Sequence, residues 1–303
     1  MPGYFLGEIY AVGVALCDAV GCSAFSHAEE KISVFTVNFS KSFIAFTFLF
    51  FLRLILTGTA SLAGIGADVW VLALVSGLIG FVFADMCYFS SFVYLPLRVA
   101  MVIYYCNPIV AAILAFFFFG QKLTWLQAGG ILITLIGVLS VLMVRKSGAT
   151  DEGQKKVLFK GVLLAALGML GQAVGVILSM EALRRMPAGI SPIVYTQIRQ
   201  LSAIGAFLLI AAARSKWRSV YTELRVKSVL PLITLGSVTG CALGTTLLLL
   251  SIKLIPIGIA SAITSISPIF ILFAAYVLKK EKIGTLEAVG IVTAVAGIVM
   301  QSL

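Results

Sequence analysis

Residues 106–139 read CNPIVAAILAFFFFGQKLTWLQAGGILITLIGVL, and residues 266–299 read ISPIFILFAAYVLKKEKIGTLEAVGIVTAVAGIV. At a constant offset of 160, without gaps, Pro108 falls on Pro268, Ala115 on Ala275, Lys122 on Lys282, Gly130 on Gly290 and Gly137 on Gly297. Upstream, Pro96 falls on Pro256 at the same offset. The opening stretches agree more weakly, at an offset of 154, with Gly7, Ala11, Ala19, Val20 and Gly21 lying over Gly161, Ala165, Ala173, Val174 and Gly175. Self-similarity at a fixed offset marks a duplicated unit, so the chain reads as two halves of one design.

Each half is built of apolar runs. Hydrophobic residues make up 61% and charged residues 11% of the chain, and the mean hydropathy is +1.12; soluble domains are about half apolar and about a quarter charged. Unbroken runs of about twenty apolar residues match the roughly 30 Å hydrocarbon core of a bilayer, and the lack of alternation selects helices over a barrel. Charges, Gly and Pro divide the chain into ten such runs, near residues 6–26, 33–56, 69–93, 98–119, 124–144, 158–180, 190–213, 228–250, 258–278 and 284–302. The expected fold class is all-α integral membrane, with ten transmembrane helices arranged as two inverted five-helix repeats. Inversion follows from parity, because an odd number of spans makes the second repeat enter the membrane from the opposite face. The repeats are expected at 1–146 and 157–303, with a hydrophilic linker at 147–156. At about thirty residues per span, no stretch remains for a separate soluble domain. The first run has no basic region before it and no small-residue cleavage pattern after it, so it reads as retained.

The net charge of +10 and the pI near 9.5 do not indicate a nucleic-acid partner, because the basic residues sit in loops and at helix ends rather than on one soluble face. They follow the positive-inside pattern instead. One face carries fifteen Lys and Arg, at Lys31, Arg98 and in clusters within 145–160, 214–227 and 279–282, against five on the other. That bias puts both termini outside the cytoplasm. The five cysteines show neither metal-site nor disulfide spacing, and the single His27 has no partner cluster, so neither metal nor cofactor is expected. No clustered His, Cys or carboxylates suggest an enzyme.

Residues 120–142, GQKLTWLQAGGILITLIGVLSVL, and 279–303, KKEKIGTLEAVGIVTAVAGIVMQSL, both show a short charged turn leading into a Gly-containing last helix. This twice-repeated pattern resembles the drug/metabolite transporter superfamily, in particular its EamA-type ten-span members. Glu281 keeps the turn glutamate usual in that family, and Gln121 replaces it in the first repeat. The resemblance implies secondary transport, commonly export, of small polar metabolites, amino acids or drugs.

Ionisable groups inside a bilayer cost roughly 2.5 to 3.5 kcal/mol each at a helix centre, so the few present are functional candidates. Asp18, Lys41, Asp85 and Arg199 all fall near the midplane, and the repeat lays Lys41 over Arg199, Asp18 over Gln172 and Asp85 over Thr245. Asp18 and Lys41 lie at similar depth and can meet across the first hairpin. Two acids and two cations sum to zero, which lowers the cost of burial. Lys41 and Arg199 are expected to hold an anionic or carboxylate-bearing substrate, with Asp18 or Asp85 as counter-ion or proton acceptor. The alternative is a structural ion pair locking the hairpin. Beside the matched Pro108 and Pro268, which invite kinks, Tyr104 and Asn107 answer Thr264 and Ser267, each pair at i, i+3 on one helix face. Tyr195, one turn from Arg199, joins the candidate substrate-binding set.

The GxxxG steps at Gly236, Gly240 and Gly244, and at Gly171 and Gly175, read as close helix crossings. The whole reads as a secondary active exporter of small zwitterionic or anionic metabolites, working by alternating access in a bacterial-type inner membrane. Its expected partners are the small-molecule substrate and the lipid bilayer, with the chain acting as a monomer. A passive channel or facilitator, or a membrane sensor or structural subunit, are the alternatives.

Overall fold

The computed structural model describes residues 2–59, 64–107, 152–187, 191–255 and 284–302, with short groups of residues between 109 and 140 and between 260 and 271. Within them run α1 (Pro2–Glu29), α2 (Val34–Thr57), α3 (Ala67–Phe92), α4 (Leu97–Tyr104), α5 (Glu152–Arg185), α6 (Pro192–Ala213), α7 (Trp217–Leu224), α8 (Val229–Leu254) and α9 (Thr285–Ser302). Among the described helices, six are long and apolar enough to cross a membrane, namely α1, α2, α3, α5, α6 and α8. The chain is a multi-pass membrane protein, helical in all its regular elements among the described residues. The expected ninth span lies largely outside the described residues, and the expected fourth and fifth lie partly outside them. The helix expected at 158–180 is much longer, because α5 begins at Glu152, within the expected linker, and runs on to Arg185; hydropathy marks only the apolar middle of a helix whose charged ends leave the hydrocarbon.

The two halves start and stop their helices in the same way. Ser33 caps α2 by accepting from the Thr36 amide, and Ser191 caps α6 by accepting from the Ile193 amide with Pro192 at the first helical position. These satisfy donors that a helix start leaves orphaned. At the other end α2 closes on Gly58 at φ 65°. After α6 the same left-handed place is taken by Ser215 at φ 50°, with Lys216 N–H donating to the Ala211 carbonyl and Ser215 N–H to that of Ala212, the hydrogen-bond pattern of a Schellman turn.

Among the described helices, packing runs between the halves more than within them. Among the described elements, α1 lies along α8, α5 lies along α3, and α2 meets α6. Lipid tails give no hydrophobic drive for such contacts, so close approach and polar bonds must supply it, and glycines mark the crossings. A Cβ on Gly21 would stand 3.0 Å from the Gly240 Cα, and at the repeat-related crossing a Cβ on Gly175 would stand 3.4 Å from the Gly80 Cα. Gly7 abuts Leu254 and Ile255 just as Gly161 abuts Tyr94 and Leu95. Gly137 presses on Gly290 and Ala294, and Gly297 on Gly130 and Thr134. The sequence repeat therefore appears as a reciprocal set of contacts.

Both third helices of the repeats widen at the same register. Leu78–Ala84 of α3 and Ser237–Gly244 of α8 are π-helical, and each segment ends immediately before a candidate residue, Asp85 or Thr245. Such segments are rare and gather at functional sites. Nothing in the apolar sequence LIGFVFA announces the first one.

Candidate functional site: a polar cavity between the halves

A cavity of about 120 Å³ lies where α1, α2, α3, α5 and α8 converge with residues 104–107 and Thr264. At roughly 10–15 Å³ per water position, it accommodates a solute of on the order of ten non-hydrogen atoms. Eight of the candidates from the sequence line it: Asp18, Lys41, Asp85, Tyr104, Asn107, Gln172, Thr245 and Thr264. Tyr195, Arg199 and Ser267 are not in its wall.

The charges pair differently from the expected hairpin contact. Lys41 donates to Asp85 Oδ2 at 2.5 Å, and both are buried, at 1% and 8% exposure. The ammonium also stands 4.0 Å from the centroid of Phe89, so an aromatic face shares its stabilisation. Asp18 instead accepts from the Tyr105 phenol at 2.6 Å. Depth alone places Asp18, Lys41 and Asp85 at one level; azimuth decides the partner, and α3 turns Asp85 toward α2 at the end of its π segment.

Arg199 sits just behind the wall. Its Cζ lies 4.2 Å from the Phe81 ring centroid, and its Nη2 comes within 2.8 Å of where a Cβ on Gly80 would be. Gln172 Oε1 lies 3.6 Å from that same point. Arg199 Nε and Nη2 and Gln172 Oε1 find no hydrogen-bond partner among the described residues, although Arg199 is only 2% exposed. Burial of unsatisfied guanidinium nitrogens is costly. The Lys41–Asp85 pair cancels itself, so the cavity region keeps one acid on the first half, Asp18, and one cation on the second, Arg199.

The remaining two candidates bond to other groups of the protein. The Tyr195 hydroxyl donates to Ser179 Oγ at 3.3 Å, and Ser179 lies 3.1 Å from Ser76 Oγ, forming a buried hydroxyl chain that ties α6, α5 and α3 together. Ser267 Oγ donates to the Thr264 carbonyl at 2.7 Å.

Several wall residues escape the sequence reading. Tyr105 does so because i, i+3 spacing chose Tyr104 and Asn107, whereas α4 ends at Tyr104 and a turn follows, breaking the helical phase. Tyr104 stacks on Tyr88 at 3.9 Å between centroids, and Phe81, Phe89 and Cys22 complete an aromatic and sulfur lining. Outside the wall, Arg53 is buried at 3% exposure within α2. Among the described residues no three His, Cys, Asp or Glu side chains gather as a metal site.

The arrangement can hold a small solute by charge and hydrogen bonds between two halves that touch at glycine crossings. A solved structure described simply as a crystal structure of a protein is similar in fold, with 16% identity and a TM-score of 0.65 over 97% of this chain and 95% of that one. No curated protein matches the chain. The family model described as EamA-like transporter family matches residues 5–143 and again 159–303. Matched twice across nearly its whole length, the chain belongs to the EamA-like transporter family.

Proposed function

We propose that this chain is a secondary active transporter that exports small polar metabolites, amino acids or related zwitterionic and anionic compounds, by alternating access. The observation that carries this reading is the polar cavity walled by both repeats, with Asp18, Lys41 and Asp85 from one and Gln172, Thr245 and Thr264 from the other. Two inverted five-helix repeats, ten spans in all, rock about the glycine crossings and expose that cavity to one side and then the other. The substrate-binding set is Asp18, Lys41, Asp85, Tyr104, Asn107, Gln172, Tyr195, Arg199, Thr245, Thr264 and Ser267, with Tyr195 and Ser267 acting through the side chains and backbone they bond. Asp18 is the proton acceptor, since Asp85 is held by Lys41. The protein works as a monomer in a bacterial-type inner membrane with both termini outside the cytoplasm, and we assign it export as the direction of transport.

Counterflow in proteoliposomes tests this. Preloading with a small zwitterion should stimulate saturable uptake of the labelled solute, and Lys41→Ala and Arg199→Ala should each weaken it. Unitary conductance without counterflow would make the chain a channel, and a normal affinity and rate in both variants would remove these cations from the site.

A further inference from the structure

The connection between α6 and α8 carries a surface apart from the cavity wall. Ser215 in the left-handed conformation turns the chain off the α6 axis, and α7 then runs across the end of the bundle, between the last residue of one membrane-spanning helix and the first of the next. Its inner face is fixed. Val220 is buried, Leu224 packs against the core, and Glu223 accepts from the Ser33 amide at 2.9 Å and its hydroxyl at 2.7 Å.

The outer face is of one sign. Trp217 and Tyr221, one turn apart, are 47% and 59% exposed. Arg218 and Arg225 fall beside them at helical spacing, and Arg214 and Lys227 flank the helix, all exposed. Arg225 packs its guanidinium 4.4 Å from the Tyr221 ring centroid and bonds the phenol oxygen. Glu223, the one acid in 214–227, is turned inward. Exposed aromatic rings at the end of a bundle suit the headgroup level of a bilayer, and cations in the same sector suit phosphate.

We propose that α7 is an interfacial helix that recruits anionic phospholipid headgroups, with Trp217 and Tyr221 inserted at the headgroup level and Arg218 and Arg225 holding the lipid phosphates. Arg214 and Lys227 extend the same field. The site stands whatever solute the cavity carries.

The chain has three tryptophans, so Trp70→Phe/Trp125→Phe leaves Trp217 as the sole tryptophan. In vesicles of phosphatidylglycerol and phosphatidylcholine at one composition, the bromine label is placed on either lipid and quenching of Trp217 is compared. The anionic lipid should be enriched around Trp217 by at least about fivefold, the worth of one basic residue near an anionic surface. Enrichment should vanish in Arg218→Ala/Arg225→Ala, persist in Arg218→Lys/Arg225→Lys, and fade with salt in the unaltered helix. Equal quenching by the two labels, or an enrichment untouched by both the alanines and salt, would overturn the proposal.

Discussion

Replacing Lys41 by methionine keeps most of the side chain's volume and deletes the ammonium, leaving Asp85 buried with no direct partner. At 2.5 Å, the lost Coulomb attraction is about 7 kcal/mol at an effective dielectric near 20, but burying both ions offsets much of it. Removing one member of a buried pair costs about 3–5 kcal/mol. A second bound agrees, because a carboxylate that escapes by binding a proton at pH 7 from a reference value near 3.9 costs about 4 kcal/mol. Lys41→Met should therefore lower stability by about 3–4 kcal/mol. Lys41→Met/Asp85→Leu, with no charge left in need of a partner, should regain most of the loss. Denaturant or thermal unfolding in detergent, compared across the wild type, both single variants and the double, checks this. Equal stability of the Lys41 single and the double variant would refute the reasoning, because it would mean that Asp85 is not stranded when its cation leaves.

Three further outcomes rest on local geometry. Ser215→Gly should raise stability by about 0.5–1 kcal/mol, since glycine takes the left-handed C-cap without a Cβ penalty, as Gly58 does at the corresponding end of α2; unfolding midpoints read it. Gly77→Ala should destabilise by about 1–3 kcal/mol through overpacking, because its Cβ would run into the Arg199 carbonyl oxygen, whereas Gly205→Ala, with open space around it, should gain up to about 1 kcal/mol of helix propensity. Partial burial pushes the Glu223 carboxyl up, but hydrogen bonds from Ser219, Thr36 and Ser33 outweigh it and hold the group below the usual carboxylate range. A depressed folded value means stabilisation that is present above about pH 4.3, the unfolded reference, and lost as pH falls through the folded value. Glu223→Gln should thus cost less than about 1 kcal/mol at pH 7 at this solvated site and nothing at acid pH, which stability measured across pH resolves.

Much of this arrangement is legible in the chain itself. The constant offset between Gly137 and Gly297 reappears as reciprocal helix crossings, because a glycine at a crossing is a sequence-visible demand for backbone contact. Buried and half-buried charges are equally visible, since Asp18, Lys41, Asp85 and Arg199 interrupt apolar runs. Their pairing is not, because hydropathy gives depth along the membrane normal and says nothing of rotation about a helix axis. The π segments hide for a related reason: a helix widened by one residue keeps its apolar composition and changes only the direction in which the next side chains project, here Asp85 and Thr245. Tyr105 escapes because helical spacing extends an unbroken helix through residues 104–107, where the chain in fact turns. Helix α7 is too short and too charged to register as an apolar run, and only its buried Val220 and inward Glu223 reveal which side faces the bundle.

Alternating access, as proposed, requires one cavity between the halves to open to each side in turn. It is tested most directly by Thr245→Cys in a chain whose five native cysteines are replaced by serine or alanine, labelled in oriented vesicles with a membrane-impermeant maleimide applied from one side or the other. Labelling from both sides, with saturating substrate slowing each, is the expected result. A residue reached from one side only, or from neither, would contradict the account.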